Sequence, residues 1–199
     1  MARQPSGWGQ PQPTPVTEPA PTEELLDTTV TGADGPIPGV LPPPPADQLP
    51  LIPSPSRTHG EHWWVGLHGG AGASTLARMD TPGGPDALHG WPVHEDGQEV
   101  ILVAREDARG LAAAQRGIQH YVSGTIPGVH VLALVTVPSQ RGKVPADLAR
   151  QLRLLRGLVP LVLTMDWAPD YLWDLEPTPT RHTRTLIRTI HRITEGITA

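Results

Sequence analysis

Residues 63–78 read WWVGLHGGAGASTLAR, an apolar run followed by a glycine-rich turn and a helical pattern. Residues 63–67 are short, apolar and bounded by turn residues, which predicts a buried strand. Residues 68–72 then supply three glycines, and residues 73–78 continue as a short helix. A strand, a glycine-rich turn and a helix in this order are typical of the place where α/β proteins bind phosphate groups.

Three further apolar runs predict strands, and helical patterns separate them. The strands are VILVA at 100–104, VHVLALVTV at 129–137 and LVLTM at 161–165, and the helices span about 107–123, 145–156 and 181–197. Strands that alternate with helices predict a parallel sheet, and strands apolar on both faces require helices on both sides. We therefore expect an α/β fold with a compact parallel sheet of four to five strands. The fifth strand, if present, is expected around Trp91-Pro92-Val93.

The prolines divide the chain into two regions. Fifteen of the 25 prolines lie in residues 1–56, which also carry a net charge of −5, whereas residues 57–199 are neutral overall. A segment so poor in periodic apolar residues cannot offset the entropy of ordering its backbone. We predict a disordered Pro-rich arm over residues 1–59, either a tether or a docking arm with GVLPPPP and QLPLIP as short motifs, and an α/β domain over residues 60–199.

Several classes of protein are excluded by composition. The chain has no cysteine, so it can hold no disulfide, thiolate metal site or cysteine nucleophile. It has no apolar run of membrane-spanning length and no secretory signal near its start. Its nine histidines form no H-E-x-x-H pattern, and no metal site is predicted. We expect a cytoplasmic protein.

The glycine-rich turn lacks the lysine that a working phosphate-binding loop needs. Ala73 stands between Gly72 and Ser74, where that lysine would lie, and the one lysine of the chain, Lys143, is in a different loop. The predicted phosphate or nucleotide site comprises Gly69, Gly70, Gly72, Ala73, Ser74 and Thr75. The residues leave three interpretations open: a turn without a ligand, retained phosphate or nucleotide binding, and slow hydrolysis.

The segment HGGAGASTLA at 68–77 resembles the deviant Walker A loop of the ParA/MinD ATPases. His68 and Ala73 stand at the two lysine positions of that loop. The alanine variant is similar to loops of TadZ/CpaE-type pilus-localisation proteins. The start WWVGLHGGAGAST and the strand ILVAR also resemble an uncharacterised actinobacterial family linked to conjugation and type IV secretion loci. The resemblance covers roughly residues 63–170 and implies a truncated P-loop NTPase-like fold.

The resemblance implies an accessory role rather than catalysis. Residues 80–98 contain no apolar strand ending in aspartate, so the metal-positioning carboxylate of the family is missing along with its lysine. Phosphoryl transfer depends on such positioned charges. We therefore expect a non-catalytic scaffold that positions or assists a secretion, pilus or conjugative transfer machine. The expected partner is a secretion or transfer ATPase, reached at the inner face of the membrane, and a homodimer remains open.

Two alternative functions stay open. The first is a nucleotide-binding switch that takes ATP or ADP with Mg²⁺ and has weak or no ATPase activity. It requires Arg78, Arg105 or Lys143 to replace the missing lysine. The second is a DNA-associated accessory protein. The neutral charge of residues 57–199 argues against nucleic acid as a partner, because non-specific DNA binding needs a basic footprint.

Two surfaces are candidates for partner binding. Arg184, Arg188 and Arg192 lie at helical spacing opposite an apolar stripe of the last helix. They form either a solvated face or a contact for an acidic partner, nucleic acid or membrane. Trp167 and Trp173 follow the fourth strand, and we expect them at the same edge of the sheet as the glycine-rich turn. They form an aromatic lid, a docking patch or a base-stacking platform.

Overall fold

The alternation of strands and helices is present in the computed structural model, which describes residues 32–56, 61–80, 88–174 and 176–196. The elements are β1 (Leu51–Pro53), β2 (Trp63–Gly66), α1 (Ala73–Met79), β3 (Trp91–Val93), β4 (Gln98–Arg105), α2 (Ala108–Val122), β5 (Val129–Val137), α3 (Ala146–Arg156), β6 (Val162–Thr164), α4 (Asp170–Trp173) and α5 (Arg181–Thr194). The predicted strands and helices are confirmed with small shifts of their ends. The one-turn helix α4 is not among the predicted elements.

The main sheet has four parallel strands in the order β2-β4-β5-β6. This confirms the predicted α/β class and its parallel sheet. The short strand expected at residues 91–93 exists as β3, but it pairs with β1 in a separate two-stranded parallel sheet. Its partner strand lies in the Pro-rich region, which is why the pairing was not predicted.

The helices cover both faces of the main sheet, as predicted. Helices α2 and α3 pack on one face with Trp63 and Val65 of β2. Helices α1 and α5 pack on the other face with Trp64. Successive strand residues point to opposite faces, so an uninterrupted apolar run supplies both cores at once.

The direction in which successive segments are added to the sheet reverses at β2. After α1, Leu88 forms a parallel bridge with Val65 at one edge of β2, whereas β4 pairs with the opposite edge. Helix α1 packs on one face, and the next helix, α2, packs on the other. In open parallel sheets such a reversal leaves a crevice beyond the carboxyl ends of the strands, where ligands bind.

Residues 32–56, here called the strap, pack against the rest of the α/β domain. The backbone N–H of Ile37 donates to the carbonyl of Val122 at 2.7 Å, and the Gln119 side-chain amide donates to the carbonyl of Leu41 at 2.9 Å. Strand β1 adds the pairing with β3. The prediction of disorder is therefore wrong for the strap, because apolar residues between its prolines find partners on α2 and β3. The first 31 residues and the last three of the predicted arm lie outside the described residues.

Candidate functional site

A cleft of about 420 Å³ opens at the carboxyl edge of the main sheet, where the chain reverses beside β2. Its volume lies in the range of small-molecule sites in proteins. The cleft is lined by the glycine-rich turn, the ends of β4, β5 and β6, and the start of α4. Its lining residues are Gly66, 68–75, Leu88, His89, Arg105, Val137, Pro138, 165–168, Tyr171 and Leu172.

All six residues of the predicted phosphate site line this cleft. They are Gly69, Gly70, Gly72, Ala73, Ser74 and Thr75. Gly72 has a φ of 101° and precedes the first residue of α1, a conformation that favours glycine. A Cβ at Gly72 would also lie 3.3 Å from Val137 Cγ2. The fold therefore accounts for glycine at this position without any ligand.

Gly69 is a glycine that the fold does not require. Its φ lies outside the left-handed region, and a Cβ placed on it would meet no atom within 4 Å. Its backbone faces the open cleft. A glycine that neither conformation nor packing demands is consistent with close approach of a ligand to the backbone.

His68 connects the turn to the end of β4. Its Nε2 accepts the backbone N–H of Arg105 at 3.2 Å, and its Nδ1 lies 2.9 Å from the carbonyl of Gly69. Because an amide can only donate and a carbonyl can only accept, the ring is the neutral Nδ1–H tautomer. The imidazole at the first lysine position of the loop motif thus fixes the turn and brings no charge to it.

Among the described residues that line the cleft, Arg105 is the one arginine or lysine. It is the last residue of β4, next to β2, and its half-buried side chain lines the cleft together with the turn. Of the three candidates for a substitute cation, Arg78 and Lys143 do not line the cleft. The structure therefore brings one of the three to the predicted phosphate site.

The carboxylates near the cleft are held by structural hydrogen bonds. Asp166 lines the cleft at the end of β6, but Thr180 donates to its Oδ2 at 2.7 Å and Thr183 donates to its Oδ1 at 2.6 Å. Glu106 is buried beside β5 and accepts the Thr136 hydroxyl at 2.7 Å. Both side chains serve to join elements of the fold.

Asp107 caps α2 close to Arg105. Its carboxylate accepts the backbone N–H of Gly110 at 2.7 Å and the hydroxyl of Ser139 at 3.1 Å. Partial burial acts to raise the pKa of Asp107, but these hydrogen bonds and the charge of the nearby Arg105 together outweigh it, so the pKa lies below its ordinary value. Asp107 therefore stays ionised as a helix cap and stabilises the position of the β4 terminus.

The aromatic cluster lies at the predicted edge of the sheet. Trp167 and Tyr171 line the cleft, and the Tyr171 hydroxyl accepts the backbone N–H of Thr180 at 3.0 Å. Trp173 lies on α4 outside the cleft lining with 84% of its surface exposed, and its neighbour Leu172 is 48% exposed. The cluster is thus divided into a cleft wall and an exposed apolar rim.

The arginines of α5 form a surface that is separate from the cleft. Arg184, Arg188 and Arg192 are exposed, while Leu186 and Ile190 on the opposite side are fully buried. The Arg184 guanidinium donates to the carbonyl of Pro179, and that of Arg188 donates to the Thr185 hydroxyl. The predicted partner-binding residues therefore belong to two places and not to one site.

His89 is a cleft residue that the sequence did not single out. Its Nδ1 donates to the carbonyl of Gly66 at 2.7 Å and fixes the Leu88 edge to the end of β2. Neither spacing nor composition in the Gly- and Pro-rich stretch around His89 associates it with the turn. Its position follows from the bridge that Leu88 makes with Val65.

The fold and the site define a parallel α/β protein with a glycine-lined cleft at the carboxyl edge of its sheet. Within the described ranges, no group of three or more histidine or acidic side chains could hold a metal ion. None of the helices in that part of the chain is both long and apolar enough to cross a membrane. No family model, curated protein or solved structure matches the chain.

Proposed function

We propose that the protein is a non-catalytic accessory protein whose cleft binds a phosphate-bearing ligand. In keeping with the ParA/MinD-like loop, it would assist a secretion, pilus or conjugative transfer machine. The observation that carries the proposal is that Gly69 and Arg105 line the same cleft. An unexplained glycine allows an anion to approach the backbone, and the guanidinium supplies the charge that Ala73 does not.

The residues present fit the phosphates of ATP or ADP. Backbone N–H groups of residues 69, 70 and 72–75 and the hydroxyls of Ser74 and Thr75 are the donors, with Arg105 as the cation. Trp167 and Tyr171 offer apolar surface for the rest of the ligand. The fit to Mg²⁺ is poor, because both oxygens of Asp166 already accept hydrogen bonds from threonines.

These contacts favour binding without hydrolysis. Hydrolysis requires charges that are aimed at the transferred group and are free to stabilise it. Glu106 and Asp166 instead hold Thr136, Thr180 and Thr183. A nucleotide-dependent switch that binds ligand and does not turn it over remains compatible with the same cleft.

The exposed rim supports the accessory half of the proposal. Leu172 and Trp173 lie immediately beside the cleft, so a partner bound there would contact any ligand as well. Large aromatic side chains exposed at such a rim are typical of protein–protein contacts. Purification of the full chain with its bound partners from the native host tests this half. Recovery of metabolic enzymes without a secretion or transfer ATPase would count against it.

Substitution of Arg105 by glutamine is expected to weaken binding of tripolyphosphate and ATP by about tenfold or more, the usual effect of losing a charge-assisted hydrogen bond. Gly69→Ala is expected to weaken binding as well, while the free energy of unfolding changes by less than about 0.5 kcal/mol. Titration calorimetry of the full chain measures the affinities, and urea denaturation measures the stability. ATP hydrolysis is expected to be negligible throughout.

Two matched variants serve as controls. Arg78→Gln changes an exposed arginine of α1 outside the cleft and should leave the affinities unchanged. Gly72→Ala should lower stability, because the residue has a positive φ and faces Val137. If the unmodified chain binds neither probe more tightly than about 1 mM, the proposed ligand class is wrong.

A further inference from the structure

A second cavity, of about 240 Å³, lies between the strap and α2. It shares three residues with the cleft, His68, Gly69 and His89, which form a wall between the two spaces. Its other walls come from residues 46–49 of the strap and from Leu67, Arg109, Ala113, Arg116 and Gly117. Two arginines and one carboxylate, that of Asp47, line this space.

The two arginines lie on the same side of α2. Arg109 and Arg116 are seven residues apart, which places them two turns and about 10.5 Å apart along the helix axis. Arg109 makes no ion pair with any residue in the described ranges. The cavity therefore carries a guanidinium whose charge is not paired by any residue that the structure describes.

Arg116 is paired, but loosely. Its Nε lies 3.6 Å from Oδ1 of Asp47, and the two side chains are 41% and 48% exposed. An ion pair this long and this exposed contributes little to stability, so another anion can replace it at small cost. Asp47 stands on the 3-10 turn of the strap, which brings a carboxylate of the same chain to the mouth of the cavity.

We infer that this cavity is a binding site for a small-molecule oxyanion, a phosphate or carboxylate group held between Arg109 and Arg116. Asp47 competes for Arg116 until the anion displaces it. The site is distinct from the cleft, since its cations come from the body of α2 and not from the end of β4. Its occupation would act on the strap segment that borders Gly69.

Nuclear magnetic resonance of the isotope-labelled full chain tests the inference, with inorganic phosphate and succinate as the two probes. Amide shifts of residues 109–117 report the cavity, and those of residues 70–75, which line only the cleft, report the cleft. Arg116→Gln is expected to weaken binding at the cavity by about tenfold, as for loss of a charge-assisted contact. Asp47→Asn is expected to strengthen it by about twofold to fivefold, because a competing weak ion pair is removed. The probe that binds more tightly identifies the ligand class.

Two further variants separate this site from the cleft. Arg153→Gln removes an exposed arginine of α3 outside the cavity. It should leave the shift changes that the probes cause in both groups of residues as they are in the unmodified chain. Arg105→Gln should weaken anion binding as measured at the turn, and it should leave the affinity measured at residues 112–117 of α2 unchanged. The inference is overturned if Asp47→Asn does not raise the affinity or if Arg116→Gln binds as tightly as the unmodified chain. It is equally overturned if neither probe binds the cavity more tightly than about 10 mM.

Discussion

Replacement of Asp80 by alanine is expected to lower the free energy of unfolding by about 3–5 kcal/mol, the cost of removing the buried carboxylate that joins a polar cluster. Asp80 follows α1 and is 1% exposed. Its Oδ2 accepts the indole N–H of Trp64 at 2.9 Å and lies 3.0 Å from Nε2 of His62. Its Oδ1 contacts Nε2 of His191 at 2.5 Å. Alanine would leave the buried indole N–H of Trp64 without its acceptor, and it would remove the contacts of Asp80 with His62 and His191.

Loss of Asp80 should also disturb the cleft. Asp80 joins three elements, and one of them, α1, begins at the glycine-rich turn that lines the cleft. Trp64 lies in β2, His62 directly precedes that strand, and His191 belongs to the last turn of α5. Helix α1 has only seven residues and depends on this attachment at its carboxyl end, since so short a helix is not stable by itself. Urea denaturation of the full chain measures the loss of stability.

Two comparisons define the result for Asp80. Asp80→Asn keeps the shape and one acceptor and should cost less than alanine. Asp96→Ala removes an aspartate that is 66% exposed and contacts His94 and Ser56, and should cost less than about 1 kcal/mol. If Asp80→Ala costs no more than Asp96→Ala, the buried cluster does not stabilise the fold as described.

The main sheet could be predicted from the sequence because its strands carry their own signal. The runs at 100–104 and 129–137 are apolar at every or nearly every position, and a strand buried on both faces has no other pattern. The glycine-rich turn and Trp167 were placed at one edge by the geometry of parallel strands alone, and both line the cleft. The sequence therefore predicted where the cleft lies.

The strap could not be predicted, because its composition is the same as that of a disordered chain. Ile52 lies between prolines, and its partner in the strand pairing is Pro92, forty residues later. A Cβ on Gly90 would lie 2.5 Å from Ile52 Cδ1, so the strap fits closely on a glycine that the sequence marked only as part of a loop. Contacts of this kind depend on two segments that carry no pattern individually.

The buried polar cluster was missed for the same physical reason. Asp80 and His191 are 111 residues apart, and neither belongs to a motif. Nothing in the sequence marks His62 as a core residue, yet it is fully buried. Long-range pairing of polar side chains follows from the packing of α1 against α5, which the apolar periodicity predicts only in outline.

Gly110→Ala is expected to destabilise the protein by about 2 kcal/mol or more, although alanine is the better helix former. Gly110 lies in the first turn of α2, and a Cβ there would stand 2.2 Å from the carbonyl oxygen of Arg105. The atoms that this Cβ would meet are backbone atoms of Arg105, and backbone cannot move aside as a flexible side chain can, so the clash is difficult to relieve. The end of β4 must move, and with it the guanidinium that lines the cleft, so affinity for tripolyphosphate should fall as well.

Gly157→Ala is the matched control, because the same change meets no obstacle there. Gly157 follows α3 with a φ of −78°, and a Cβ would lie 3.5 Å from the carbonyl oxygen of Leu154, an ordinary contact. Alanine should therefore leave the stability of the protein unchanged or raise it by about 0.4–1 kcal/mol, because it reduces the conformational entropy of the unfolded chain. Urea denaturation of both variants, with calorimetry of tripolyphosphate binding, gives the comparison. If Gly110→Ala is as stable as Gly157→Ala and binds normally, the close approach of α2 to the end of β4 does not position Arg105.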